Sequence, residues 1–363
     1  MKNELEKITV SQMKEIIKKF YNAKQEGIDR SILVLGSPGL GKTEGLKEVA
    51  AELEIAIHII SPVQHASDDF GGIPVPSEDN KKVKKLPVED LFPQELMKKD
   101  RGIYFIDEIT SSDFSTQGAL YRLLLEGRTD TFVLPKGWLR VAAGNLLSDR
   151  ALVNELSSAL INRVSIFQII PDETELANYY IEKHLGKPTE DAAMIVASFI
   201  KTFPEILREE PSTDSPFTSP RSLERAIEDI YLGIPTSADV SKVCSAKLSA
   251  YIEELSKLPK AEEFLKKPEL VNKYKDKIFS IIPIISGYVK KSKLNKEEIT
   301  LIKKFLTSSS LKDIEREFVY MLIKQTFASM VGKGLEWETI NDLIKEVSKV
   351  YPFISEIKKL NVK

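Results

Sequence analysis

The chain has 363 residues, of which 42% are hydrophobic and 29% charged. That is the composition of an ordinary soluble protein, and the length calls for two or three domains. A net charge of −2 excludes a global basic field for nucleic acid, and no apolar run is long enough to span a bilayer. The charged start, Met1 to Lys7, lacks the apolar core of a secretion signal. Cys244 is the only cysteine, so neither an intrachain disulfide nor a cysteine metal site is expected. His58, His65 and His184 are scattered, and packing is the expected role for each. A cytoplasmic protein fits these features.

Residues 4–25 carry Leu5, Ile8, Met13, Ile16, Ile17, Phe20 and Tyr21, mostly at helical spacing, which predicts a leading helix. Ser31 to Leu35 then reads as a buried parallel strand. It runs into Gly36-Ser37-Pro38-Gly39-Leu40-Gly41-Lys42-Thr43, which fits G-x-x-x-x-G-K-[ST] at every fixed position. Leu46, Val49, Ala50 and Leu53 follow at helical spacing. A strand, a glycine loop and a helix N-terminus bind a polyphosphate, because free N–H groups point inward and the helix dipole favours the anion. Lys42 would reach the β- and γ-phosphates of ATP, and the Thr43 hydroxyl would hold Mg²⁺.

Residues 54–60 read as a second strand, ended by Ser61-Pro62. Residues 64–100 interrupt the α/β alternation. Asp69 to Gly72 is a turn, Ile73 to Pro76 is extended, and Lys81 to Leu86 runs back, so a hairpin emerging from a helix is predicted. Pro74 and Pro76 confine its first strand to an edge. Gly102 to Ile106 is a buried strand that delivers Asp107 and Glu108 to the C-terminal edge of a sheet, where open α/β folds bind ligands. Asp107 would support Mg²⁺ through its water shell, and Glu108 would orient and polarise an attacking water.

Residues 115–126 are an amphipathic helix, and the turn-rich stretch 128–138 predicts a second hairpin. Leu139 to Ala143 is another strand, ending at Gly144-Asn145, where an amide can contact a γ-phosphate and its water. A helix from Ala151 to Asn162 ends at Arg163, and Val164 to Ile170 is the last strand. After Pro171 the pattern is helical, near 173–184, 190–208, 220–231 and 237–257, and again through 261–363.

In this order the pieces resemble an AAA+ ATPase, and more narrowly the MoxR-like, dynein-related branch. The resemblance covers roughly residues 28–235. It rests on the Gly36–Thr43 loop, the acidic strand end Ile103 to Glu108, and Val141 to Asn145, similar to a sensor-1 asparagine. Ser158 to Arg163 resembles a segment carrying a trans-acting arginine finger, and Ser219 to Glu224 a sensor-2 motif opening a lid helix. The 64–100 excursion looks like a helix-2 insert and the 128–138 stretch like a pre-sensor-1 insertion. One departure is Val164 after the finger arginine, where the family often carries Phe.

The resemblance implies an α/β AAA+ core over 1–171, a helical lid over 172–235, and a C-terminal helical extension over 236–363. It implies ATP hydrolysis with Mg²⁺ in a homo-oligomeric ring, most often a hexamer. Arg163 would reach the neighbouring subunit's γ-phosphate, Arg221 would couple nucleotide state to lid rotation, and Arg150 is a second candidate interface arginine. It also implies a remodelled protein client, often one with a von Willebrand A-type domain, met by the two hairpins. The alternative is a motor or loader acting on nucleic acid. Residues 256–304 hold 13 lysines against 6 acidic residues, although the acids are interleaved as on a solvated helical face.

Overall fold

The computed structural model describes residues 5–77, 82–147, 154, 156, 158–210, 212, 214–312, 314 and 316–354. The chain forms two compact units, residues 1–175 with 209–221 and residues 176–208 with 222–363.

The first unit runs β1 (Glu6–Ile8), α1 (Val10–Gln25), β2 (Ile32–Leu35), α2 (Lys42–Glu52), β3 (Ala56–Ile60), α3 (Ser67–Gly71), β4 (Ile73–Pro76), β5 (Val83–Leu86), α4 (Gln94–Met97), β6 (Arg101–Ile106), α5 (Phe114–Glu126), β7 (Gly137–Gly144), α6 (Ser158–Ile161) and β8 (Ser165–Ile169). Six strands make one parallel sheet in the order β1-β8-β2-β7-β6-β3, and β4 and β5 pair antiparallel by themselves. Alternate residues of the central strands enter opposite cores, as the two-residue strand period requires. Val34, Phe105 and Val141 pack with Leu46 and Val49 of α2 and Met13 and Ile17 of α1. Leu33, Tyr104 and Ala142 pack on the other face with Leu120, Leu123 and Leu124 of α5. The sheet is therefore covered on both faces, and its strand ends are the part left open to ligand.

The second unit is helical. It contains α7 (Glu173–His184) from Leu176 onward, α8 (Glu190–Thr202), α9 (Pro220–Leu232) from Ser222 onward, α10 (Lys242–Lys257), α11 (Ala261–Lys266), α12 (Leu270–Lys273), α13 (Ile278–Lys291), α14 (Lys296–Leu306), α15 (Arg316–Gly332) and α16 (Trp337–Val350). The helices on both sides of residue 235 belong to this one unit. Its larger core joins α13, α14, α15 and α16 through Ile281, Ile285, Phe305, Phe318, Phe327 and Ile344. A second core joins α8, α9 and α10 through Phe199, Leu223, Ile227 and Leu248. No described helix is long and apolar enough to cross a membrane. The α/β core followed by an all-helical region, expected above, is the architecture formed.

One local expectation is corrected and a second is narrowed. The leading helix does not start near residue 4. Glu6 to Ile8 is a strand paired with Phe167 to Ile169, and the helix begins after Thr9, whose hydroxyl caps it by accepting from the Gln12 N–H. Three residues with one buried side chain give no readable period, so only the partner strand reveals them. The 128–138 stretch does form a hairpin, but a short one, with the Thr129 N–H donating to the Phe132 carbonyl and the Leu134 N–H to the Gly127 carbonyl, each at 2.8 Å. One bridge joins Arg128 and Val133 around a tight turn, and Gly137 and Trp138 already belong to β7. Trp138 is taken into the sheet because its ring is buried and its indole N–H donates to the Lys99 carbonyl at 2.7 Å. Of the helix expected over Ala151 to Asn162, Ser158 to Ile161 is observed, and residues 151–153, 155 and 157 lie outside the described residues, as does Arg150.

Candidate functional site

β2 is central in the sheet, so the loop after it opens at the middle of the C-terminal edge. Gly36 to Gly41 wraps from Leu35 into α2, whose first residue is Lys42. Gly39 and Gly41 take left-handed backbone, with φ of 81° and 87°. A residue with a Cβ is strained there, which is why the loop spends glycines at these places. The turn leads into the N-terminus of an 11-residue helix, whose first N–H groups lack partners within the helix and favour an anion.

Three strand ends meet around this loop. β2 and β7 are in register with Leu35 opposite Gly144, and the Gly36 N–H donates to the Gly144 carbonyl at 3.1 Å. Asn145 is thereby set beside the loop. β6 carries Asp107 and Glu108 to the same edge, and the Asp107 N–H donates to the Ile60 carbonyl at 2.9 Å.

Lys42 is buried at 8% exposure, with its ammonium folded back on its own loop. It donates to the Gly36 carbonyl at 2.5 Å and the Ser37 carbonyl at 3.0 Å, and lies 3.5 Å from Asn145 Oδ1. A buried ammonium costs free energy unless it is satisfied, so these carbonyls hold it in place. The Thr43 hydroxyl donates to Asp107 Oδ2 at 2.6 Å. Asp107 Oδ1 accepts from the Glu108 N–H at 3.0 Å. Glu108 itself takes left-handed backbone at φ 56°, uncommon for a residue with a side chain, and its Oε2 stands 3.5 Å from the Ser61 hydroxyl.

A hydroxyl and a carboxylate in direct contact are oxygen donors of the kind a hard cation takes, so Thr43 and Asp107 fit a shared Mg²⁺. The neighbouring ammonium and helix N-terminus fit the phosphates such an ion accompanies.

The two outlying arginines have different settings. Arg163 is exposed just past α6, its N–H donating to the Leu160 carbonyl at 2.9 Å. Arg221 belongs to the first unit and its main chain lies on the glycine loop. A Cβ at Gly39 would stand 3.1 Å from Arg221 Cβ and 3.4 Å from its backbone nitrogen. Lys42, Thr43, Asp107, Glu108, Asn145 and Arg221 are thus gathered around one loop, and Arg163 is not among them.

Three supporting residues escaped the sequence reading. Buried Thr110 accepts from the Asn145 N–H at 2.9 Å, and its methyl occupies the space a Cβ at Gly144 would need. Asn154 donates from its backbone to the Thr110 carbonyl at 2.7 Å and from its amide to the Ser112 carbonyl at 2.7 Å. Ser61 faces Glu108 across the ends of β3 and β6. Thr110 follows the acidic pair by two residues, which was a usable signal. Ser61 and Asn154 reach the site only through the sheet's folding.

Fold and loop together define a P-loop α/β unit joined to a helical one. No family model matches the chain, and no curated protein matches it. Among solved structures it is similar to the Thermotoga maritima RuvB Holliday junction branch migration motor, with 20% identity, 73% of this chain and 76% of that one covered, and a TM-score of 0.38. A mutant of the same RuvB gives 17% identity, 85% and 86% coverage and a TM-score of 0.40. C. elegans PCH-2 gives 16% identity, 68% coverage of each chain and a TM-score of 0.38. Similarities of this size leave the function to be argued from the site.

Proposed function

We propose that this chain is an ATP-hydrolysing motor subunit of the AAA+ class, of the MoxR-like branch, and that it remodels a protein partner. The observation that carries the reading is the contact of Thr43 with Asp107 beside the contact of Lys42 with Asn145. These bring the glycine loop, the acidic strand end and the neighbouring strand end to one place, as phosphoryl transfer to water needs.

Each side chain has a separate task. The loop N–H groups and Lys42 bind and orient the phosphates, and Lys42 leaves the Gly36 and Ser37 carbonyls to reach them. Thr43 and Asp107 would hold Mg²⁺, which when bound neutralises phosphate charge. Glu108 accepts a proton from the attacking water, and Asn145 orients that water against the γ-phosphate. Ser61 limits where the Glu108 carboxylate can rest. Arg221, against the glycine loop in the first turn of α9, senses nucleotide occupancy.

Arg163 is exposed and outside this constellation, which supports a task in the neighbouring subunit's site and hence a ring, of six subunits in the commonest arrangement for the class. An arginine supplied in this way raises turnover about 10³- to 10⁵-fold. The client is a protein, with a von Willebrand A-type domain as the first candidate, met by the β4–β5 hairpin. The nucleic-acid alternative loses support from the lysine-rich stretch. Lys257, Lys277, Lys290 and Lys303 are each ion-paired, to Glu253, Glu254, Glu190 and Glu346 respectively.

The test is phosphate release by the wild type, by Arg163→Ala, by Lys42→Ala, and by a mixture of those two variants. Each variant alone should be nearly inactive, and the mixture should recover part of the activity because some interfaces then hold both groups. Intact mixed rings with no recovery would refute a trans-acting Arg163.

A further inference from the structure

The β4–β5 ribbon stands as its own two-stranded sheet, and both strands are exposed along most of their length. Its register decides which of its two edges another strand can join. The Ser77 N–H donates to the Lys82 carbonyl at 2.7 Å, so Ser77 and Lys82 are a hydrogen-bonded pair in the ladder that sets Pro76 opposite Val83 and Pro74 opposite Lys85. Antiparallel pairs alternate between bonded and non-bonded. Pro76–Val83 and Pro74–Lys85 are therefore the non-bonded pairs, whose main-chain groups face away from the ribbon.

On the β4 side those outward positions are prolines with no N–H, and that edge cannot extend a ladder. On the β5 side they are Val83 and Lys85, each with an N–H and a carbonyl to offer. Among the described residues nothing takes either N–H. Val83 is 70% exposed.

The open edge carries three ammonium groups. Lys82, Lys84 and Lys85 make no ion pair among the described residues. Lysines on a free edge repel a second lysine-bearing edge and so keep copies of this chain apart. They admit an acidic strand for the same reason. Val83 and Leu86, the latter 52% exposed, lie among them as apolar contacts, one on each face of the strand.

We infer that β5 is a docking edge for an extended acidic segment of a partner protein, which adds to the ribbon as a third strand. An open row of main-chain donors and acceptors is matched by another polypeptide backbone, and the lysines select its charge. No aromatic residue lies on β4 or β5, so the ribbon offers nucleic-acid bases no stacking surface. This inference deepens the partner-remodelling reading and rests on it for its biological setting.

The experiment is fluorescence anisotropy of the full chain with a labelled peptide of about eight residues alternating Glu and Val, a usual strand length. Comparators are the same peptide with Lys for Glu, the same peptide N-methylated at alternate amides, and a single-stranded oligonucleotide of equal charge. The acidic peptide should bind, with affinity falling as salt rises. The doubly reversed variant Lys82→Glu/Lys84→Glu should weaken it about tenfold or more, as two lost charge contacts plus repulsion require. Val83→Pro removes an edge donor without changing charge and should weaken binding comparably while leaving ATP turnover unchanged. In the wild type, peptide should slow deuterium exchange at residues 83–86. Binding of the N-methylated peptide or the oligonucleotide as tight as that of the acidic peptide, or unchanged affinity in Val83→Pro, would overturn the inference. Absent ATP turnover alongside normal peptide binding would count against the motor reading alone. Normal turnover with no peptide binding would count against this inference alone.

Discussion

The two units solve the same burial problem with opposite consequences for chemistry. In the helical unit, some polar groups are spent on one another, while others, Gln325 and Ser329 among them, are closed off in the core where no ligand reaches. The Tyr251 hydroxyl lies 2.6 Å from both Ser198 and Ser280, and Lys290 is closed by Glu190 and Asp191. In the sheet unit, Asp107, Glu108 and Asn145 stand where strands stop, and Lys42 is satisfied by loop carbonyls that a phosphate can replace. A helix satisfies its interior main chain along its own length, whereas parallel strands all end at one edge, where loop groups remain for a ligand. The candidate site therefore lies in the first unit.

That contrast can be broken by experiment. Glu108→Gln should lower turnover about a thousandfold while leaving ATP binding and the melting curve unchanged, read by phosphate release and calorimetry. A large loss of stability instead would make Glu108 a structural residue. Phe305→Ala removes a fully buried ring from the helical core and should cost about 4 kcal/mol in urea unfolding, with ATP affinity of the native protein unchanged.

Two smaller effects probe the supports of the sheet unit. Arg140 on β7 is buried and pairs with Asp29 at 2.7 Å. Burial would raise the Asp29 pKa, but the hydrogen bond from Lys24 and the charge of Arg140 outweigh it and hold the carboxyl below its ordinary range. Its stabilisation is full above the unfolded pKa and is lost as pH falls through the folded value. Asp29→Asn should cost about 1 to 2 kcal/mol near neutral pH, at the low end for a buried pair because half of Asp29 faces water, and should flatten the acid limb of the stability curve. Asp113 caps α5, and hydrogen bonds from Ser115 and Thr116 draw its carboxyl down to about 2. This depressed value means that the cap holds above pH 3.8 and is lost as pH falls toward about 2, which an NMR titration of Asp113 would follow.

Much of the site was legible because its parts are local. Gly36 to Thr43 is a contiguous pattern whose glycines answer a backbone need, and the acidic pair closes an apolar run. Ser61, Thr110 and Asn154 were not legible as supports, since a serine, a threonine and an asparagine say nothing of their neighbours until strands are in register. The same holds for β1, whose three residues pair with β8 from the far end of the first unit.

The sequence by itself determined the α/β core, the helical region after it, and the kinds of side chain that gather around the glycine loop. These are set by periodicity and by conformations only glycine adopts freely, both read within a few residues. The tertiary structure alone decided which strand ends adjoin, that Lys42 rests on its own loop, that Arg163 stands apart, and that β5 is the edge of its ribbon left open. Those facts depend on strand order and register, which join residues far apart in the chain and leave no local mark.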